Sequence, residues 1–190
     1  MPKVYTGDLT KMFDISGKKA MIFGGAGGFG EAIAAGYAAN GCSVCISSRS
    51  EEKLQAAKAK IEAAAAPGVK VMYIAGDAGD EEFVKKAVEV VTGPEGLGGC
   101  DILVNAQGIN KKMWSWEIDT DFFEKMLHTN ITSLMLTCKY FGNWMKSNNV
   151  EGAEKIGEAD FEHGKCNPNQ GYGKIINFGS VRGISAVANG

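Results

Sequence analysis

Residues 18–30 constrain the fold more than any other stretch of this chain. A short apolar run, 20–23, stops in a cluster of glycines at Gly24, Gly25, Gly27, Gly28 and Gly30. A helical pattern follows at once, with Phe29, Ile33 and Tyr37 at i, i+4 and i+8. Strand, glycine turn and helix in that order are the setting in which such glycines bind phosphate. Gly24 is placed to make the tight turn at the strand end. Gly28 has no side chain to keep a pyrophosphate from the helix N-terminus, where free N–H groups and the helix dipole favour an anion. Gly30 predicts close packing of the helix on the sheet. The spacing is Gly24-x3-Gly28-x-Gly30, for which a ligand-free glycine turn is the competing reading.

The rest of the chain repeats the alternation. Apolar runs at 43–47, 70–75, 101–105 and 173–178 predict strands, and periodic segments at 51–66, 80–91 and about 119–145 predict helices. Leu54, Ala57 and Ile61 share one helical face, as do Val84, Ala87, Val88 and Val91. Alternating strands and helices imply an α/β fold, a doubly wound parallel sheet with right-handed crossovers. At 190 residues the chain is long enough for a single domain with a sizeable core. Segment 147–172, polar and rich in Gly, Asn and Glu, predicts a surface insertion. His163 and Cys166 lie within it, too few to make a structural zinc site.

Net charge is −2, which supplies no basic field for nucleic acid. No apolar run reaches membrane-spanning length, and the first residues lack a signal-like apolar segment. The expectation is a soluble cytoplasmic protein with neither nucleic-acid nor membrane partners. Five scattered cysteines argue against a disulfide framework. Cys42 and Cys45 form a C-x-x-C, but at the start of a strand residues three apart face opposite ways, which predicts two buried thiols rather than a redox pair.

Polar residues at the predicted strand ends are the candidate site. Ser48 and Arg49 follow the second strand with no acid beside them. In dinucleotide folds an acid there takes the ribose hydroxyls and an Arg accommodates a 2′-phosphate, so the pair favours NADP over NAD. Asp77, followed by Ala78, ends the third strand and can accept from an adenine amino group. Asn105 and Gly108 flank the end of the fourth strand, where Asn105 can tie neighbouring strands together. Asn130 is a polar amide among Phe122, Met126, Leu134 and Phe141 on the long helix. It needs a partner, such as a backbone carbonyl reached through water, unless it sits at the helix edge. Ser180 follows the fifth strand on the same sheet edge as the glycine turn.

These motifs, in this order, resemble the short-chain dehydrogenase/reductase family over roughly residues 13–190. The family's Thr-Gly-x3-Gly-x-Gly is matched by Gly24, Gly28 and Gly30, with Phe23 in place of the Thr. Its Asp after the third strand matches Asp77. Its Asn-Asn-Ala-Gly is half matched by Asn105 and Gly108, while Ala106 and Gln107 differ, and Gln107 is bulky enough to narrow the cofactor cleft. The resemblance implies a Rossmann-type sheet and a cofactor site at Gly24, Gly28, Phe29, Gly30, Ser48, Arg49, Asp77, Ala78, Asn105 and Gly108. It implies NADP as cofactor, with NAD as the alternative, and hydride transfer between an alcohol and a ketone or aldehyde. Ser180 would orient the substrate oxygen and Asn130 would hold a proton-relay water. It further implies a dimer or tetramer paired through the long helix, with Phe122, Phe123, Met126 and Leu127 near its start and Tyr140, Phe141 and Trp144 near its end.

The family's Tyr-x3-Lys, which supplies the proton, has no counterpart here. None of Tyr5, Tyr37, Tyr73, Tyr140 and Tyr172 has a Lys four positions on, and the chain ends ten residues after Ser180. The expectation is the N-terminal portion of a longer dehydrogenase, without the last strands of the usual sheet and inactive by itself. The alternative is a non-catalytic subunit that supports a catalytic partner in a hetero-oligomer.

Overall fold

The computed structural model of the chain describes residues 13–148 and 173–180. Within these, β1 (Lys19–Phe23), β2 (Ser43–Ser48), β3 (Val71–Ala75), β4 (Ile102–Asn105) and β5 (Lys174–Asn177) form one parallel sheet in the order β3-β2-β1-β4-β5. The helices are α1 (Gly28–Ala39), α2 (Glu51–Ala64), α3 (Glu81–Thr92), α4 (Thr120–Leu127) and α5 (Ser133–Asn148). The predicted 147–172 insertion, with His163 and Cys166, lies almost wholly outside the described residues.

The two-residue period of the strands sorts the core into two layers. Ala20, Ile22, Val44, Ile46, Ile102 and Val104 face Ala34 and Ala38 of α1 and Leu54, Ala57 and Ile61 of α2. Met21, Phe23, Cys45 and Leu103 face Val84, Ala87 and Val91 of α3 and Leu136, Phe141 and Met145 of α5. Helices therefore cover both faces, as the alternation predicts. Cys42 and Cys45 fall in different layers. Both are buried, unbridged thiols, and burial pushes Cys42 up to about 12 and Cys45 higher.

Caps set the helix starts. The Ser50 hydroxyl accepts from the Lys53 amide at 3.4 Å, Asp80 from Glu82 at 2.9 Å, and Asp119 from Phe122 at 2.7 Å. On α1 the fully buried residues are Gly30, Ala34 and Ala38, while Ile33 and Tyr37 pack half-buried against the same layer. Phe29 is 74% exposed. Small residues take the positions nearest the sheet, where a Cβ on Gly30 would already meet the Gly24 backbone.

The predicted long helix is interrupted. A π-helical turn, His128–Thr132, joins α4 to α5 and holds Asn130. An i+5 turn takes in an extra residue and rotates the following face. After it the inward residues are Ser133, Leu136, Thr137, Phe141 and Met145, while Leu134 is only half-buried. Tyr140 and Trp144 are packed partly against the core as well, so the distal half of the helix does not offer the bare aromatic surface expected of it.

Candidate functional site

The strand order reverses between β1 and β4, and ligands of such sheets bind outside the carboxyl ends at that reversal. A cleft of about 370 Å³ opens there. Gly24, Ala26 and Gly27 form one wall. Ser47, Ser48, Arg49, Ser50 and Lys53 form a second, with Gly76, Asp77 and Ala78 beside them. Residues 106–109, Thr129 and Ser133 close the other side.

The glycine turn is built by close approach. Gly24 adopts a left-handed φ of 74°, and a Cβ there would lie 2.6 Å from the Ala106 carbonyl carbon and the Gln107 nitrogen. A Cβ on Gly30 would lie 2.3 Å from the Gly24 oxygen. Gly28 differs: a Cβ there would meet nothing within 4 Å. Gly24 and Gly30 thus serve packing, and Gly28 leaves open space at the start of α1. No side chain among the described residues caps that helix, and Gly27, its N-cap, lines the cleft while Gly28 does not.

The opposite wall is cationic. Arg49 and Lys53 both line the cleft, two residues before α2 begins and in its first turn, and neither forms an ion pair among the described residues. Lys53 was not among the residues singled out from the sequence, and no local pattern marks it; it reaches the cleft from the first turn of α2. Ser47 is 1% exposed, and its hydroxyl finds no partner among the described residues. Asp77 lines the cleft and accepts from the Gly79 amide at 2.8 Å, which folds the loop after β3.

Asn105, Asn130 and Ser180 lie elsewhere. Asn105 pairs in register with Asn177 of β5 and donates to its side-chain oxygen at 2.9 Å, a direct tie between strands at the sheet's C-terminal edge. Asn130 accepts from the Ile109 amide at 2.8 Å and donates to the Ile109 carbonyl at 2.9 Å. No bridging water is required for this backbone contact: the amide grips a single residue of the loop after β4 directly. Ser180 is exposed, three residues beyond the end of β5. Phe178, two residues before it, meets Phe29 of α1 at 5.7 Å between ring centroids, which brings the end of β5 to the start of α1. Phe29 itself touches Phe178 rather than the cleft.

The sequence profile of the short chain dehydrogenase family matches residues 18–154. The chain belongs to that family. General stress protein 39 of Bacillus subtilis is 32% identical over 171 residues, which cover 89% of this chain and 55% of that protein. L-rhamnose 1-dehydrogenase (NADP(+)) of Thermoplasma acidophilum is 32% identical over 145 residues, covering 74% and 54%. The crystal structure of a short-chain type dehydrogenase/reductase from Mycobacterium marinum superposes with a TM-score of 0.69 at 30% identity, covering 77% of this chain and 57% of that one. The chain spans about half the length of the curated relatives it matches.

The residues present fit a dinucleotide of the kind this family uses. The open space at Gly28 and the uncapped N-terminus of α1 suit a pyrophosphate, the free cations suit a further phosphate, and the unpaired Ser47 hydroxyl suits a polar ligand atom.

Proposed function

We propose that this chain supplies the dinucleotide-binding part of an NADP-preferring oxidoreductase that interconverts an alcohol and a ketone or aldehyde. The observation that carries the reading is the wall of Ser48, Arg49 and Lys53 facing the glycine turn across one cleft, with no acid at the tip of β2. The N-terminus of α1 takes the pyrophosphate, and Arg49 with Lys53 takes the 2′-phosphate through charge-assisted bonds. Asp77 is placed for the adenine amino group. When bound, the nicotinamide supplies or accepts the hydride. Ser180 orients the substrate oxygen at the end of β5. Asn130, through Ile109, fixes the loop that borders the cleft. An NADP-named relative at 32% identity supports the cofactor choice. The proton donor expected of the family is not among these 190 residues, so residues 1–190 alone should give no carbonyl reduction.

Binding titrations test the cofactor. Arg49→Ala should weaken NADPH about tenfold while leaving NADH nearly unchanged, because only the former carries the phosphate. Equal loss for both cofactors, or a parent that prefers NADH, would sink the assignment.

The second reading is a non-catalytic subunit, favoured by the Gln107 side chain standing where the family has a small residue. Ser180→Ala in the complete assembly separates the two. In an enzyme it should lower kcat/KM by about 10²-fold or more, because the bond strengthens as charge builds on the substrate oxygen. In a subunit it should be silent.

A further inference from the structure

We infer that Gln107 is a cofactor-reading residue whose side-chain carbonyl accepts from a ribose hydroxyl on the adenosine half of the dinucleotide; this rests on the NAD(P) reading above. The direction of its amide follows from its neighbours. The Ser133 hydroxyl lies 2.6 Å from the Thr129 carbonyl, which can only accept, so the single hydroxyl proton points there. Toward Gln107, 3.1 Å away, Ser133 therefore has only lone pairs to offer. Gln107 must present its NH2, and its carbonyl oxygen is left buried with no donor among the described residues. A buried acceptor without a donor is costly, and it is relieved by a ligand that brings one.

The position of Gln107 selects the donor. Its backbone nitrogen lies against Gly24, so the side chain starts at the seam between the phosphate turn and the end of β4. It lines the same cleft as Arg49 and Asp77. Phosphate oxygens accept and are matched by the two cations. The adenine amine is matched by Asp77. The remaining donors on that half of the molecule are ribose hydroxyls. The last torsion of a Gln side chain is broad, which lets the oxygen adjust toward a donor that enters the cleft.

Two variants of the full chain test this, read by NADPH affinity and by the melting temperature without ligand. Gln107→Leu keeps the bulk and removes both polar ends, whereas Gln107→Ala removes the bulk too. Both should weaken NADPH about tenfold, the value of one hydrogen bond. Gln107→Leu should melt no lower than the parent, because the unpaired oxygen is gone. Unchanged affinity in Gln107→Leu, or tighter binding in Gln107→Ala, would show that the side chain only narrows the cleft and would overturn the inference. A fall in melting temperature that tracks the loss of affinity would reassign Gln107 as a structural tether and overturn it equally. If the parent binds neither NADPH nor NADH, the cofactor reading itself fails. A parent that binds while the variants are unaffected fails only the inference about Gln107.

Discussion

Gly28 and Gly30 stand two positions apart and are glycine for different reasons. A Cβ on Gly30 would press on the Gly24 backbone at 2.3 Å, and backbone cannot rotate away as a side chain can. Gly30→Ala should therefore lower stability by about 1–3 kcal/mol, measured by urea unfolding. Gly28→Ala meets open space and should leave stability within about 0.5 kcal/mol, or raise it slightly, since Ala is the better helix former. It should nonetheless weaken NADPH binding, because the methyl group stands where the pyrophosphate would lie. A Gly28→Ala protein that binds normally would place the phosphates elsewhere. Asn130 is a structural residue on the same grounds. Its two bonds to Ile109 hold the loop after β4, and Asn130→Leu should cost about 1–3 kcal/mol by leaving both Ile109 groups without their partner.

The π-helical turn between α4 and α5 is the element that sets the geometry around the cleft. It carries Asn130 to Ile109, and the rotation it introduces turns Ser133 toward Gln107 and Phe141 into the core. Phe141 is fully buried and meets Phe23 edge-on at 5.7 Å, directly under the strand that feeds the glycine turn. Phe141→Ala should cost about 3–5 kcal/mol in urea unfolding, with a loss of NADPH affinity because the floor beneath the turn is lost. Helix α5 is also clasped to α3 at the surface, where Glu81 accepts from the Tyr140 hydroxyl and from Lys139 at 2.9 Å. The Tyr140 bond first, and Lys139 second, hold the Glu81 carboxyl below its ordinary value of 4.5. A depressed carboxylate stabilises the fold above that ordinary value, and the contribution is lost as pH falls through the folded value. The stability of Glu81→Gln should consequently fall less than the parent's below pH 4.5. Parallel acid limbs for the two proteins would show that the clasp contributes nothing.

At the scale of the molecule, one surface is unusually apolar. Phe123, Leu127, Ile131 and Met135 are all substantially exposed and recur every fourth residue along α4, the π turn and α5. A contiguous exposed apolar stripe of this kind marks an interface or an aggregation site. The family resemblance points to pairing through this helix, so a second copy is the expected occupant. Ile131→Glu, at a residue 60% exposed, should shift the chain to a smaller species in sedimentation without lowering its melting temperature. A parent that is already monomeric and soluble would remove the basis for this expectation.

The order of strands and helices, the two-layer core and the glycine turn were legible in the residues themselves. Period two in 20–23 and 102–104 assigns each apolar side chain to a face, and glycines between a strand and a helix predict a tight turn. The spacing around Cys42 and Cys45 likewise placed them on opposite faces. Three features came only from tertiary structure. The fully buried positions of α1 fell to Gly30, Ala34 and Ala38, with Ile33 and Tyr37 half-buried beside them, because the helix–sheet distance, not the apolar count, decides what fits closest. The π turn is invisible to a 3.6-residue period, and the Asn130 it carries bonds Ile109, 21 residues away in the chain. Lys53 entered the site for the same reason: the cleft gathers residues from five segments, and which of them meet is fixed by how the strands line up, not by any local pattern.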